Sequence, residues 1–284
     1  MSDEKTMRLL FPQWQGGNNP PYYLGAQLLA WLAPNSTGDI DVVPAEPPTE
    51  ANQPQNENGI MARSAILEQS RAARRIIDGR KPDKIVVFGG DCSSDLAPFA
   101  YLNERYGGEL SVLWLDAHPD VSSPGQQRNA NTMVLGNLLG YGDAEFVKEV
   151  KAPLRPEKVM FAGLQKTSPV DTDFIESMGI RRAAPEELAE NSALITQWLV
   201  DTNAKYLAIH VDLDVLDPKL IRSVVFPKMM PPDGIFKKGM TIQQLQRLIA
   251  DVSILSDVVG MGIVEFIPWE AMAIQSLLKT LPLI

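Results

Sequence analysis

Four stretches of the chain leave apolar runs and end in groups that can do chemistry: FGGDCSSD (88–95), LWLDAHPD (113–120), IHVDLDVLDP (209–218) and GIVEFIP (262–268). They carry Asp91 and Cys92, then Asp116, His118 and Asp120, then Asp212, Asp214 and Asp217, then Glu265. Carboxylates gathered in one place repel one another, and burying each unpaired costs several kcal/mol. A divalent cation relieves that cost. In an extended segment residues i, i+2 and i+4 share a face. On that spacing D-x-H-x-D turns Asp116, His118 and Asp120 one way, and His210, Asp212 and Asp214 likewise. Aspartates with an imidazole suit a hard ion such as Mn²⁺. Asp217, just before Pro218, reads instead as a turn and cap residue. Cys92 is the only cysteine. Filler, nucleophile and metal ligand are its three possible roles.

Placing these groups together requires strands that end on one edge. Apolar runs at 6–11, 39–43, 84–89, 110–116, 158–163, 206–214 and 258–266 read as strands. Several are apolar almost throughout, the mark of strands covered on both faces in a parallel sheet. Helical spacing recurs between them at 58–79, 95–108, 131–140, 185–202 and 241–253. Strands alternating with helices predict a layered α/β chain. Open parallel sheets bind ligands at the carboxyl ends of their strands, where the four acidic stretches fall. The interleaving runs to the end, so one domain is expected over 1–284. PAEPPTEANQPQNENG (44–59) reads as a solvated loop, and FPKMMPPDGIFKKG (226–239), which follows the D-x-D strand, as a connection with a part in the site.

Composition narrows the class. With 45% hydrophobic residues in 284, the chain can bury a sizeable core. A net charge of -9 argues against nucleic acid or an anionic membrane as partner, because phosphates need a basic face. One cysteine excludes an internal disulfide and fits a reducing compartment. No apolar signal core or long apolar run occurs in the sequence, so a cytoplasmic protein is expected.

GGDC, DAHPD, DLDVLDP and GIVEF stand in the order and spacing of the ureohydrolase family: arginases, agmatinases and formiminoglutamases. The chain resembles that family over about residues 84–270. The resemblance implies a three-layer α/β sandwich with a mainly parallel central sheet. It implies a two-manganese cluster at the strand ends and hydrolysis of a guanidino or amidino C–N bond, in which two cations sharing a water make hydroxide available. By position, Asp116 and Asp212 would bridge the metals, His118 and Asp214 would complete one site, and Cys92 and Asp120 would belong to the other. Glu265 would hold the cationic end of the substrate. A trimer or hexamer is the family's usual assembly.

Two positions depart from the pattern. Cys92 stands where relatives carry a histidine ligand. A thiolate there suits Zn²⁺ better than Mn²⁺, and a thiol that stays protonated would leave that site weak or empty, so the cofactor expectation is one or two Mn²⁺, with Zn²⁺ an alternative at the Cys92 site. Asn131, with Asn129 two residues before it, stands where relatives carry a histidine taken as a proton shuttle. Asparagine can hydrogen-bond but cannot shuttle protons near neutrality. His210 is expected to hydrogen-bond near Asp212; the other reading is that it replaces the lost ligand or shuttle. Asp120, Glu265 and Asn131 are the catalytic candidates. The expectation is a divergent hydrolase of a small guanidino or amidino compound. The competing reading is an inactive relative that binds or scaffolds. A D-x-D nucleotide-sugar transferase would leave DAHPD without a role.

Overall fold

The computed structural model describes residues 4–36, 38–224 and 238–284. The first half runs β1 (Thr6–Phe11), α1 (Pro21–Leu32), β2 (Ile40–Val42), β3 (Asn56–Glu57), β4 (Ile60–Met61), α2 (Arg63–Arg80), β5 (Lys84–Gly89), α3 (Leu96–Arg105) and β6 (Leu110–Leu115). The second half runs α4 (Val134–Leu138), α5 (Ala144–Val147), β7 (Val159–Ala162), α6 (Pro169–Met178), β8 (Arg181–Ala183), α7 (Ala193–Asp201), β9 (Tyr206–Asp212), α8 (Ile242–Leu255), β10 (Asp257–Val264) and α9 (Ala271–Leu278).

Eight strands form one sheet in the order β2-β1-β5-β10-β9-β6-β7-β8, and every described pair is parallel. β3 and β4 form a separate antiparallel hairpin. Alternation along each strand feeds two apolar layers. Ile85 and Val87 join one with Ile66 and Ile77 of α2 and Phe99 of α3. Val86 and Phe88 join the other with Leu29 of α1, Trp198 of α7, Leu248 of α8 and Ile274 of α9. Helices cover both faces, so the chain is a three-layer α/β sandwich, as the near-continuous apolar runs require. Among the described residues no helix is long and apolar enough to cross a membrane.

Each of the seven expected strands forms, with ends trimmed by a residue or two in several cases. The 185–202 helix shortens to Ala193–Asp201. Before it, Ala184 N donates to Glu187 Oε2, and Asn191 Oδ1 accepts from Ala193 N. These side chains satisfy the backbone in turns and so delay the helix. The 226–239 connection, apart from its last two residues, lies outside the described residues. Within 44–59 the chain forms a short 3-10 turn (Glu50–Asn52) and then β3, and Glu46 O accepts from the Trp14 indole.

The four strands with acidic ends lie side by side as β5-β10-β9-β6 in the middle of the sheet. In register, Val264 faces Asp212 and Leu115 faces Val211, so their carboxyl ends finish level. The last strand in the chain is thus inserted beside the fifth. That places Glu265 next to the turn after β5, with Glu265 N donating to Gly90 O at 2.9 Å. α1, which the sequence pattern did not announce, packs over the end of β10. A Cβ at Gly25 would stand 1.9 Å from Phe266 O, so only glycine permits the approach.

Candidate metal centre

The site forms where the chain leaves these central strands. Asp116 and Asp120 follow β6 in a loop rather than an extended segment, and Asp120 has a φ of +50. Their convergence with His118 is therefore a loop property, which corrects the expectation from strand spacing. His118 N donates to Asp116 Oδ1 at 2.6 Å, a turn closed by the aspartate itself. β9 likewise ends at Asp212, and Asp214 sits in a 3-10 turn capped by Asp212, whose Oδ1 accepts from Asp214 N at 2.7 Å. Glu265 also carries a positive φ, +61. Left-handed non-glycine residues at two of the acidic positions are the kind of strain that collects at functional sites.

Three groups of side chains meet there. In one, a ligand atom from each of Cys92, Asp116, Asp120 and His210 lies within 4.8 Å of the others. In the second the residues are Cys92, Asp212 and Glu265, and in the third Asp116, His118 and Asp214. The Cys92 thiol lies 3.2 Å from Asp212 Oδ2 and 3.3 Å from Glu265 Oε1. His118 Nδ1 is 2.9 Å from Asp214 Oδ2 and 3.5 Å from Asp116 Oδ1. Asn131 Nδ2 donates to Glu265 Oε1 at 2.7 Å, and Tyr22 OH donates to Glu265 Oε2 at 2.6 Å. Every candidate ligand named from the sequence is therefore in the cluster.

Asp91 is turned away. Its carboxylate accepts from Gly17 N and Ser93 N and caps the turn that carries Cys92. Asp217 accepts from Lys219 N, the turn role expected for an aspartate before proline. Trp114 is core, yet its indole also donates to Asp116 Oδ2 at 3.1 Å. His210, two residues before Asp212, is hydrogen-bonded: its Nδ1 lies 2.7 Å from Asp95 Oδ2, a partner that the sequence did not name. The sequence assigns no role to Tyr22, Asp95 or Gly262. NPPYY and FGGDCSSD gave no local sign of partners more than a hundred residues away.

Burial makes the cluster electrostatically costly. Asp120 and Asp212 lie well above the ordinary carboxylate range, and Asp116 and Glu265 above it. The first cause in each is loss of water, and the next is a neighbouring carboxylate. Asp91 is pushed up to about 7 by burial and then by Glu265. Burial and four surrounding carboxylates raise the Cys92 thiol well above its usual value. Asp214 moves the other way: burial opposes the shift, but the charge and hydrogen bond of His118 hold it low. Burial likewise opposes a rise at His118, yet Asp214 and Asp116 raise it. Among the described residues Asp120 Oδ2 and His210 Nε2 are buried without a hydrogen-bond partner. Crowded acids, a thiol, imidazoles and orphaned acceptors, among them Asp120 Oδ2 and His210 Nε2, fit a cation-binding centre better than a hydrogen-bonded core.

Gly262, opposite His210 in the β9–β10 pair, makes room for Asp95. A Cβ there would stand 1.8 Å from Asp95 Oδ2. Gly262→Ala is expected to push that carboxylate out and to cost on the order of 3 kcal/mol, read as a lower melting temperature. An unchanged melting temperature would contradict this packing.

The model of the arginase family matches residues 15–277, and the chain belongs to that family. The resemblance seen in the motifs is borne out. An arginase of Staphylococcus aureus (strain MRSA252) is 26% identical over 199 residues, which is 65% of this chain and 63% of that protein. The arginase of Neurospora crassa is 24% identical over 245 residues, 80% of this chain and 64% of that one. The matches thus span less than two thirds of these curated relatives. Entamoeba histolytica arginase, solved in complex with L-ornithine, has a TM-score of 0.81 at 19% identity, covering 99% of this chain and 97% of its own. Proclavaminate amidino hydrolase of Streptomyces clavuligerus has a TM-score of 0.70 at 18% identity, covering 98% and 88%. These likenesses show the fold.

Proposed function

We propose that the protein is a metal-dependent hydrolase that cleaves a C–N bond of a small guanidino or amidino compound. The observation that carries this reading is the convergence of buried acids, Cys92 and His118 at the ends of four adjacent central strands. Asp116, His118, Asp212 and Asp214, with Cys92 and Asp120, would hold one or two divalent cations. Bound cations lower the pKa of water and so supply hydroxide near neutral pH. Asp120, with Oδ2 unpartnered among the described residues, is the carboxylate candidate for accepting a proton during the reaction. Glu265 offers a buried carboxylate to a planar cationic group. Tyr22 and Asn131 hold it in place by two hydrogen bonds. L-ornithine in the Entamoeba structure supports a small cationic substrate.

A second reading, an inactive relative that binds its ligand without turnover, draws on Asn131. Its amide is engaged by Glu265 and cannot exchange protons.

Dialysis against Mn²⁺ or Zn²⁺, elemental analysis and a guanidino-compound screen for urea release test both. Cation uptake with urea release from at least one compound is expected. Uptake without hydrolysis would favour the binding protein, and no uptake would end the metal-dependent reading.

A further inference from the structure

His210 is the buried titratable group that the hydrolytic reading leaves unused. It lies on β9, fully buried, and its ring stacks on Trp114 with centroids 3.6 Å apart and planes 11° apart. Nδ1 is tied to Asp95 Oδ2 at 2.7 Å. Such a bond fixes the tautomer in which Nδ1 carries the proton and Nε2 offers a lone pair. That lone pair has no partner among the described residues. It points toward the acidic centre, 3.8 Å from Asp116 Oδ2. An imidazole oriented through one nitrogen by a carboxylate, with the other nitrogen free, is the usual arrangement of a metal-bound histidine. Space for the orienting carboxylate depends on Gly262, where any side chain would collide with Asp95.

We propose that His210 is a metal ligand, and that with Cys92, Asp116 and Asp120 it forms a cation site beside the Asp116–His118–Asp214 group, with which it shares Asp116. One ligand atom from each of these four residues already lies within 4.8 Å of the rest. A sulfur, an imidazole nitrogen and two carboxylate oxygens make a four-ligand set that suits zinc(II) better than manganese(II). His118 with two aspartates makes a harder set. The two groups therefore differ in the ion they take. Asp95 is a positioning residue that acts through His210.

This inference rests on the reading of the centre as a cation site and needs no catalysis. The chain has two histidines, so nitrogen NMR of the full-length protein labelled with ¹⁵N-histidine reports both directly. His118→Gln assigns the pair. One equivalent of zinc(II) is expected to move the His210 Nε2 resonance to the position of a metal-bound nitrogen. Asp95→Asn is expected to weaken zinc binding about 10–100-fold, as loss of such an orienting partner does elsewhere. His210→Gln should weaken it at least as much, and manganese(II) should compete poorly for this ion. An unmoved His210 resonance with zinc bound to wild-type protein overturns the proposal, even if urea is released. A moved resonance with no hydrolysed compound leaves it standing and removes the hydrolase reading.

Discussion

Asp212→Asn is expected to raise the melting temperature of the metal-free protein and at the same time to abolish cation uptake and hydrolysis. Asp212 is buried and surrounded by Asp214, Glu265 and Asp116, which with loss of water hold its carboxyl well above the ordinary range. Asparagine keeps the turn, since its oxygen still accepts from Asp214 N. The Cys92 thiol loses Oδ2 as an acceptor but keeps Glu265 Oε1. What goes is the cost of holding this carboxyl in the centre, as a charge among like charges or as a proton taken up on folding. That cost is on the order of 1.4 kcal/mol for each pH unit between its unfolded and folded titration. A protein of this size then gains roughly 2–4 °C per kcal/mol. The same charge is what a divalent cation would bind, so stability and function move in opposite directions. Thermal unfolding in chelator, with elemental analysis after dialysis, reads both. A variant that is less stable without metal, or that keeps its ions, would show that Asp212 is not part of an electrostatically strained centre.

The second large effect is on pH. The metal-free protein is expected to lose stability steadily from pH 5 to pH 8. Asp91, Asp116, Asp120, Asp212 and Glu265 all titrate higher in the folded chain than in an unfolded one. The folded state therefore holds protons that the unfolded state has released, and stability falls as pH rises through that interval. His118, also raised, acts in the same direction, since its stabilising charge is lost on the way up. Asp214 is lowered, so its contribution disappears only in acid, below the window. Between the ordinary 3.8 and about 7, Asp91 alone removes on the order of 4 kcal/mol. Bound cations compensate the same charges, so loading with zinc(II) or manganese(II) should flatten the slope. Asp212→Asn should flatten it in part without metal. Melting curves at several pH values, with chelator and with ion, decide the matter; a flat or rising profile in chelator would refute the account.

The sequence by itself determined seven of the eight strands of the main sheet, the layered α/β class, the family and the set of acidic side chains at the strand ends. These are local properties. Apolar runs such as LSVLWL read as buried strands because every one of their residues faces a covered layer, and Gly-Gly-Asp or Asp-Pro ends a strand whatever its neighbours are. Only the tertiary structure decided how those ends meet. β10 enters between β5 and β9, which sets Glu265 beside Cys92, although 173 positions separate them. α1 reaches Glu265 through Tyr22 because Gly25 lets the helix lie against the backbone of Phe266. Asp95 finds His210 across 115 positions, in a space that Gly262 leaves open. Aspartates 116 to 120 converge through a turn that no two-residue period describes. Partners of this kind are chosen by packing between distant segments. The side-chain pattern along one strand carries no record of which strand will lie beside it.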